Sequence, residues 1–214
     1  MTTSARAVLS QTQAELTPLP GTNRLLPLVA DGRAPVSVIA ALAGEERHII
    51  ASDWRAFLTL AARAEEQSTR QFFSFLAGGE SVALNLLVPL AEASGADLDS
   101  YTPQAGCQAY PAYVASLALN ASPVDALLAL FANFAAWGEY CAAIASSLRA
   151  HYGFDDRACA FFDFFTKPVP EPEQHALNAI QSALDVGWQP DEARRHGRML
   201  LNYELMFWNT LADL

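Results

Sequence analysis

The hydrophobic residues of this chain recur every three or four positions over most of its length, which is the period of an amphipathic α-helix. The longest such stretch, residues 122–149, is apolar on nearly every side, and Ser122 with Asp125 at its start resembles a capping box. A helix that is apolar all round belongs in the middle of a domain or in a bilayer. Asn133 and Glu139 interrupt the run, so we interpret it as the buried central helix of a helical domain.

The same period predicts helices on both sides of this central segment. No stretch alternates with period two for long enough to form a strand, so we predict an all-α bundle of seven or eight helices. Residues 1–21 are polar and contain prolines, which predicts an N-terminal tail followed by a single domain over residues 22–214. A linker is predicted over residues 167–173, and a helix break at Gly78 and Gly79. The predicted helices cover residues 23–30, 35–64, 68–93, 108–119, 122–149, 154–165, 172–186 and 190–212.

Composition and charge exclude several classes of protein. Hydrophobic residues make up 52% of the chain and charged residues 17%, which is typical of a folded protein with a large core. The net charge of −10 opposes binding to a phosphate backbone, so we expect no nucleic-acid partner. Three cysteines in apolar contexts indicate a reducing compartment, and the N-terminus lacks the apolar region of a secretory signal. We therefore expect a cytoplasmic protein that does not associate with a membrane.

Four polar side chains lie within apolar stripes of different predicted helices: Asp53, Tyr110, Asn133 and Glu204. Hydrogen bonding within the core is the simpler interpretation of each, and it suffices for Tyr110 alone. Burial of an unpaired carboxylate is costly, however, and no Lys or Arg is apparent on the stripes that carry Asp53 and Glu204. We therefore expect the four side chains to converge on a polar pocket inside the bundle.

The histidines do not form the ligand set of a metal centre. Glu45 and His48 have the Glu-x-x-His spacing of a di-iron bundle, but a second pair with this spacing is missing. The sequence also contains no Gly-rich phosphate loop. We therefore expect no metal and no cofactor.

The C-terminal segment 203–208, with the sequence YELMFW, resembles the terminal Glu-x-x-Phe-Trp signature of the TenA family (thiaminase II). Residues 51–54 resemble the family's Gln-Asp-Tyr segment. Tyr110 lies 23 residues before Asn133, the spacing between the family's pocket tyrosine and its nucleophilic cysteine. The resemblance covers most of the chain from about Asn23. It implies a haem-oxygenase-like helical bundle around a buried central helix.

The sequence departs from the family pattern at three positions. Asn133 occupies the position of the nucleophilic cysteine, and Ala56 replaces a tyrosine that follows the family's aspartate. Residues 161–165 stand where the family has a Trp-Ile-x-x-Tyr segment, so Phe165 replaces its tyrosine. Asparagine cannot perform covalent catalysis of the cysteine kind. The resemblance therefore implies the fold more directly than the reaction.

The resemblance implies a ligand site for a small aromatic or heterocyclic amine, similar to thiamine or an aminopyrimidine. The residues that it assigns to ligand binding are Asp53, Tyr110, Asn133, Trp137 and Phe165. Glu204 and Asp53 would be the catalytic carboxylates of a weak or altered hydrolase. A non-catalytic binding or regulatory protein, of the kind labelled TenA family transcriptional regulator, is the alternative, and a metal-dependent oxygenase is a third. Together with a mean hydropathy of +0.14, the resemblance also predicts a homodimer or homotetramer.

Overall fold

The computed structural model describes residues 4–167 and 170–214, and regular structure in both ranges is helical. The helices are α1 (Ala5–Glu15), α2 (Leu25–Ala30), α3 (Val36–Arg63), α4 (Gln67–Ser94), α5 (Ala105–Asn120), α6 (Pro123–Tyr152), α7 (Asp156–Phe165), α8 (Pro170–Asp185) and α9 (Asp191–Ala212). No strand occurs within the two described ranges, so the predicted all-α class is confirmed.

The central helix α6 is the structural axis that the sequence predicts. The Ser122 hydroxyl caps its first turn by accepting a hydrogen bond from the Asp125 N–H at 3.3 Å. Gly153, with a φ of 72°, ends the helix in the left-handed conformation that glycine favours. Between these ends α6 packs against α1, α2, α7, α8 and α9. The buried central helix is therefore confirmed.

Both α4 and α6 are long and apolar enough, by length and composition, to cross a membrane. These properties alone are weak grounds for a membrane span, because the core helix of a soluble protein has them as well. In this fold α6 has other helices on several sides, and α4 packs against α3, α7 and α8.

The long helices α3 and α4 form an antiparallel pair joined by a three-residue connection. Glu66 caps α4 by accepting hydrogen bonds from the N–H groups of Ser68 and Thr69, at 2.9 and 2.7 Å. The predicted break at Gly78 and Gly79 is wrong, because α4 continues through both residues. A glycine costs a helix only about 1 kcal/mol, and packing against neighbouring helices outweighs that cost here.

The polar tail predicted for the N-terminus is wrong over residues 5–15, which form α1. Val8 and Leu9 of this helix, and Leu16 directly after it, are buried. The helix packs against α6 and α8. Polar residues separate these apolar residues in the sequence, so their helical spacing was not recognised in the prediction. The predicted linker is also wrong from Pro170 onward, where α8 begins; residues 168 and 169 lie outside the described part of the chain.

The buried apolar residues form two clusters, and the chain passes from one to the other along several helices. The first cluster includes Ala56 of α3 and Leu200 of α9. The second includes Ile50 of α3 and Phe207 of α9. Tyr110 of α5 contacts both clusters. The boundary between the clusters therefore crosses the middle of the bundle, and it determines where polar side chains meet.

Candidate functional site

A layer of polar side chains lies at the boundary between the two apolar clusters. Asp53 of α3 is placed between Ile50 and Ala56, and Glu204 of α9 between Leu200 and Phe207. The same change of cluster occurs on α4 at Glu80, between Ala77 and Ala83, and on α6 between Phe134 and Trp137, within one turn of Asn133. We call the set of Glu46, Asp53, Glu80, Tyr110, Asn133 and Glu204 the polar layer.

Three carboxylates of this layer are almost completely buried: Glu46, Asp53 and Glu204 are 3%, 5% and 7% exposed. Burial raises the pKa of Asp53 to about 8. Burial, followed by the charges of Asp53, Glu45 and Glu204, raises the pKa of Glu46 to about 8. Burial also raises the pKa of Glu204 to about 7, against the opposing effect of a hydrogen bond from Trp208. These carboxyl groups therefore titrate near neutral pH rather than near pH 4.

Glu80 and Tyr110 lie at the boundary between the two apolar clusters, and each is partly exposed. Burial is nevertheless the largest cause of the raised pKa of both side chains. The charges of Asp53, Glu204, Glu80 and Glu46 also contribute to the raised pKa of Tyr110, in that order. The Tyr110 hydroxyl therefore lies within electrostatic range of carboxylates on α3, α4 and α9.

The carboxylates of the layer lack cationic partners. Within residues 4–167 and 170–214, no ion pair involves Glu46, Asp53, Glu80 or Glu204. Asp53 Oδ1 is buried and accepts no hydrogen bond from the described residues. Buried acceptors in folded proteins normally have a donor, so these oxygens require protons or a ligand.

Glu45, which is also on α3, is a buried carboxylate that does have hydrogen-bond donors. Its buried carboxylate accepts hydrogen bonds from the Tyr101 hydroxyl at 2.8 Å, the Gln104 N–H at 2.6 Å and Gln108 Nε2 at 2.6 Å. Glu45 is therefore a structural residue that connects α3 to the loop before α5. Its Glu-x-x-His partner, His48, has a buried Nε2 without a partner in the described chain. Across the described ranges, no three His, Cys, Asp or Glu side chains are placed to hold a metal ion.

Asn133 links α6 to α9 through its amide. Nδ2 donates to the Ala129 carbonyl at 2.7 Å and to the Gly197 carbonyl at 3.4 Å. Its Oδ1 is buried and has no partner among the described residues. Asn133 therefore offers a free acceptor, about one helical turn along α6 from Trp137.

An aromatic wall adjoins Glu204. Trp208, one turn after Glu204, stacks on Trp137 with ring centroids 5.5 Å apart and planes inclined by 29°. Phe165 meets Trp137 edge-on at 5.6 Å, and Tyr140 meets Trp208 edge-on at 5.6 Å. The wall thus contains Trp137 and Phe165, which were assigned to ligand binding, together with Trp208 and Tyr140, which the sequence reasoning did not assign.

Cys141 does not offer a reactive thiol. The side chain is fully buried, and burial, with the charges of Glu46 and Glu204, raises the pKa of its thiol. A reactive cysteine requires the opposite shift, because the thiolate is the nucleophile.

Two surface clefts, of about 320 and 400 Å³, lie away from the polar layer. The first is lined by residues of α1, the end of α8 and the start of α9, including Trp188 and Arg194. The second lies between α5 and α9, where the Tyr113 hydroxyl and His196 Nδ1 are 2.8 Å apart. Neither cleft includes a carboxylate of the polar layer, so neither coincides with the candidate site.

The structure thus brings Asp53, Tyr110 and Glu204 together and adds two carboxylates that the sequence reasoning missed. Glu46 lies seven residues before Asp53 and therefore on the same face of α3, a spacing that could have identified it. Glu80 lies midway between the buried residues Ala77 and Ala83 of α4. Ligand roles for all of these residues, and for Asn133, Trp137 and Phe165, remain predictions.

The sequence matches no protein-family model and no curated protein. Several solved structures are similar over nearly the whole chain. A TenA homologue from Pseudomonas syringae pv. tomato has a TM-score of 0.76 and 14% identity, covering 98% of this chain and 91% of that one. A TenA family transcription regulator from a Silicibacter species has a TM-score of 0.69 and 16% identity, covering 97% of each chain.

A domain of unknown function with a haem oxygenase-like fold, from Shewanella denitrificans, has a TM-score of 0.67 and 16% identity, covering 97% of this chain and 88% of that one. Identities this low establish the fold alone, so the chemistry must be argued from the residues of this chain. The chain has the haem oxygenase-like fold of the TenA homologues.

Proposed function

We propose that this protein binds a small, positively charged heterocyclic amine in the polar layer. The observation that carries the proposal is the buried Asp53 carboxylate, whose Oδ1 has no partner among the described residues. A cationic N–H donor would supply both the missing charge and the missing hydrogen bond. The fold of the TenA homologues and the resemblance of segments 51–54 and 203–208 support an amine similar to thiamine or an aminopyrimidine.

The surroundings of Asp53 suit a flat ring with polar edges. Asp53 anchors the ring nitrogen or its amino group, and the Tyr110 hydroxyl offers a donor beside it. Trp137 and Phe165 provide the apolar surface against which a ring packs, and Asn133 Oδ1 provides a further acceptor. Mostly apolar walls with a few convergent polar groups are typical of small-molecule sites.

Glu204 is suited to proton transfer. A pKa of about 7 means that this carboxyl can both donate and accept a proton near neutral pH. We extend the proposal to a slow hydrolysis, since Asn133 supplies no thiol. Glu204 takes a proton from the attacking water and returns one to the departing amine, so that a carbon–oxygen bond forms as the carbon–nitrogen bond breaks. Acid–base assistance alone contributes roughly 10²–10⁴-fold to a rate.

Binding without catalysis is the second candidate function. The position of the family nucleophile holds Asn133, and the Cys141 thiol has a raised pKa, so nothing in the layer favours a covalent route. The similar Silicibacter protein carries the description of a transcription regulator. A regulatory role for this acidic chain would act through a protein partner or by holding the ligand, because its net charge of −10 opposes DNA. The absence of turnover for every ligand that binds would favour this alternative.

The test is a comparison of Asp53→Asn with Glu139→Gln, a change of an exposed carboxylate on α6. Isothermal titration calorimetry with thiamine and with 4-amino-5-aminomethyl-2-methylpyrimidine measures affinity for each variant. We expect Asp53→Asn to lose about tenfold or more in affinity, in line with the loss of a charge-assisted hydrogen bond of roughly 1.5–3 kcal/mol. Glu139→Gln should bind as the wild type does. Equal binding by Asp53→Asn, or no binding of either amine to the wild type, would overturn the proposal.

A further inference from the structure

Two carboxylates of the polar layer, Glu46 and Glu80, have no role in the function proposed above. Glu46 lies on the face of α3 that carries Asp53, about 10 Å away along the helix axis. Glu80 lies on α4 at the same boundary between the two apolar clusters as Asp53, between Ala77 and Ala83, and α4 packs against α3. Three acidic side chains therefore line the α3–α4 side of the layer, and Glu204 approaches from α9.

Every titratable group that acts on this cluster from the described elements is acidic or weakly acidic. The groups linked by electrostatic effects to the cluster are Glu45, Glu46 and Asp53 on α3, Glu80 on α4, Cys107 and Tyr110 on α5, Tyr140 and Cys141 on α6, and Glu204 on α9. Of these, Glu45 has its own set of hydrogen-bond donors. No Lys, Arg or His contributes to the electrostatics of the four carboxylates in the described part of the chain.

Such a cluster cannot be fully ionised when it is empty. Like charges in an enclosed space repel each other, and burial removes the water that would otherwise stabilise them. The carboxylates must therefore hold protons or bind a cation. With no three ligating side chains placed for a metal ion in the described ranges, an organic cation is the occupant that fits the cluster.

We propose that Glu46 and Glu80 make the polar layer an exchange site, in which the free protein holds protons and an organic cation replaces them on binding. This inference rests on the proposed function, and it adds that the positive charge of the ligand, more than the identity of its ring, determines affinity. In the exchange, each displaced proton leaves a carboxyl oxygen for the solvent buffer. The N–H groups of the cation then donate to the oxygens, and no other bond breaks.

The exchange makes affinity depend on pH in a defined direction. A proton and the cation compete for the same carboxylate, so raising the pH favours the cation. The dependence should be steepest around pH 7–8, where Glu46, Asp53 and Glu204 titrate. It should stop increasing once the carboxyl groups are ionised in the free protein. Each proton released contributes about a tenfold change in affinity per pH unit in that range.

A matched pair of ligands separates charge from ring type. 4-(Aminomethyl)pyridine carries an ammonium group near neutral pH, whereas 4-(hydroxymethyl)pyridine has the same ring and similar size without that charge. Calorimetry at pH 7 and pH 8, in phosphate and in Tris, gives affinity and the number of protons released, because the two buffers differ in ionisation enthalpy. We expect the amine to bind at least about tenfold more tightly, to release about one proton at pH 7 and to gain affinity at pH 8.

The double variant Glu46→Gln, Glu80→Gln tests the two residues directly, with Glu139→Gln as the control. We expect the double variant to release fewer protons, to lose part of its pH dependence and to prefer the amine over the alcohol by a smaller factor than the wild type, since Asp53 and Glu204 remain. Glu139→Gln should retain the wild-type values. Glu80→Gln alone, at a half-buried position, gives the same readout if the double variant does not fold.

The outcomes separate this inference from the proposed function. Equal binding of the amine and the alcohol without proton release would overturn the exchange, whereas the effect of Asp53→Asn on thiamine binding decides the proposed function separately. Wild-type proton release by the Gln variants would show that Glu46 and Glu80 take no part, and would overturn the inference. No binding of either pyridine or of thiamine would overturn both proposals.

Discussion

Trp208 donates a hydrogen bond from Nε1 to Glu204 Oε1, one turn earlier on α9, at 3.3 Å. This bond favours the ionised carboxylate and opposes the burial that raises the pKa of Glu204 to about 7. The same indole stacks on Trp137. The Trp208 side chain therefore lowers the pKa of Glu204, the candidate acid–base group, and also forms part of the aromatic wall beside it.

Replacement of the indole tests this relationship. Trp208→Phe removes the N–H donor and keeps an aromatic ring, so we expect the pKa of Glu204 to rise above its wild-type value. Titration of the Glu204 carboxyl carbon by NMR measures the change, with Glu204→Gln used to assign the signal. The smaller ring should also cost about 1–3 kcal/mol of stability, because Trp208 is fully buried. An unchanged or lower pKa would show that the hydrogen bond has no effect on Glu204.

The buried carboxylates predict an unusual dependence of stability on pH. The pKa values of Glu46 and Asp53 are about 8 in the folded protein, above the ordinary carboxyl range that applies after unfolding. Between these limits the folded state binds more protons than the unfolded state, so stability falls as the pH rises. We expect the melting temperature to be highest near pH 5 and to decrease up to about pH 8. Glu46→Gln should flatten this decrease, whereas a wild-type melting temperature that rises from pH 5 to pH 8 would contradict it.

Two helical glycines are predicted to respond in opposite ways to alanine. A Cβ at Gly44 would overlap the ring of Tyr101, whose hydroxyl is held by Glu45. We expect Gly44→Ala to destabilise the fold by about 1–3 kcal/mol. Gly78 is exposed on α4 and has open space at its Cβ position, so Gly78→Ala should stabilise by up to about 1 kcal/mol. Urea unfolding measures both changes, and a Gly44→Ala variant as stable as the wild type would contradict the close packing of Tyr101.

The homodimer or homotetramer expected from the sequence stays a prediction. Large apolar side chains such as Trp54, Leu58, Val82 and Val88 are exposed on the α3–α4 pair. Exposed apolar surface of this kind favours contact between subunits. We expect light scattering at micromolar concentration to give a multiple of the 23.1 kDa chain mass. A mass of one chain over the whole dilution series would contradict the prediction.

Helix positions were predictable from the sequence because proline, glycine and capping residues mark the ends of long apolar stripes. The prediction failed where polar residues dominate, as in α1, and where prolines suggest a linker, as before α8. Asp53 and Glu204 were identifiable because each is a carboxylate between aliphatic and aromatic residues one turn away. The residue pattern within a single helix was therefore sufficient to identify Asp53 and Glu204.

Glu46 and Glu80 were missed for reasons that are also local. Glu46 stands within the run Glu45–Arg47, which has the appearance of a solvated charged face. Glu80 follows two glycines that suggested a helix break. Their convergence depends on which helices meet at the boundary between the two apolar clusters, and that is a property of long-range packing that no single stretch of sequence contains.

Asn133→Cys introduces a thiol where the sequence resemblance places the nucleophilic cysteine of the TenA family. We expect the wild type to hydrolyse aminopyrimidines slowly or not at all, because it lacks the covalent route that divides one difficult step into two easier ones. Ligand affinity should persist, since Asp53 and the aromatic wall do not need the thiol. In the variant, the Gly197 carbonyl loses the amide donor of Asn133, so some loss of stability should accompany any gain in rate.

The measurement pairs hydrolysis rate with affinity in the wild type, in Asn133→Cys and in Asn133→Ser, which has a similar size but no thiol. A gain in rate for Cys that Ser does not share supports Asn133 as the position of a lost nucleophile. Cys141→Ala should leave the rates unchanged, because the buried Cys141 thiol has a raised pKa. If the wild type already reacts as fast as a cysteine enzyme, the interpretation of Asn133 is wrong. If no variant binds a pyrimidine, the layer serves another ligand, and the fold alone connects this chain to the TenA homologues.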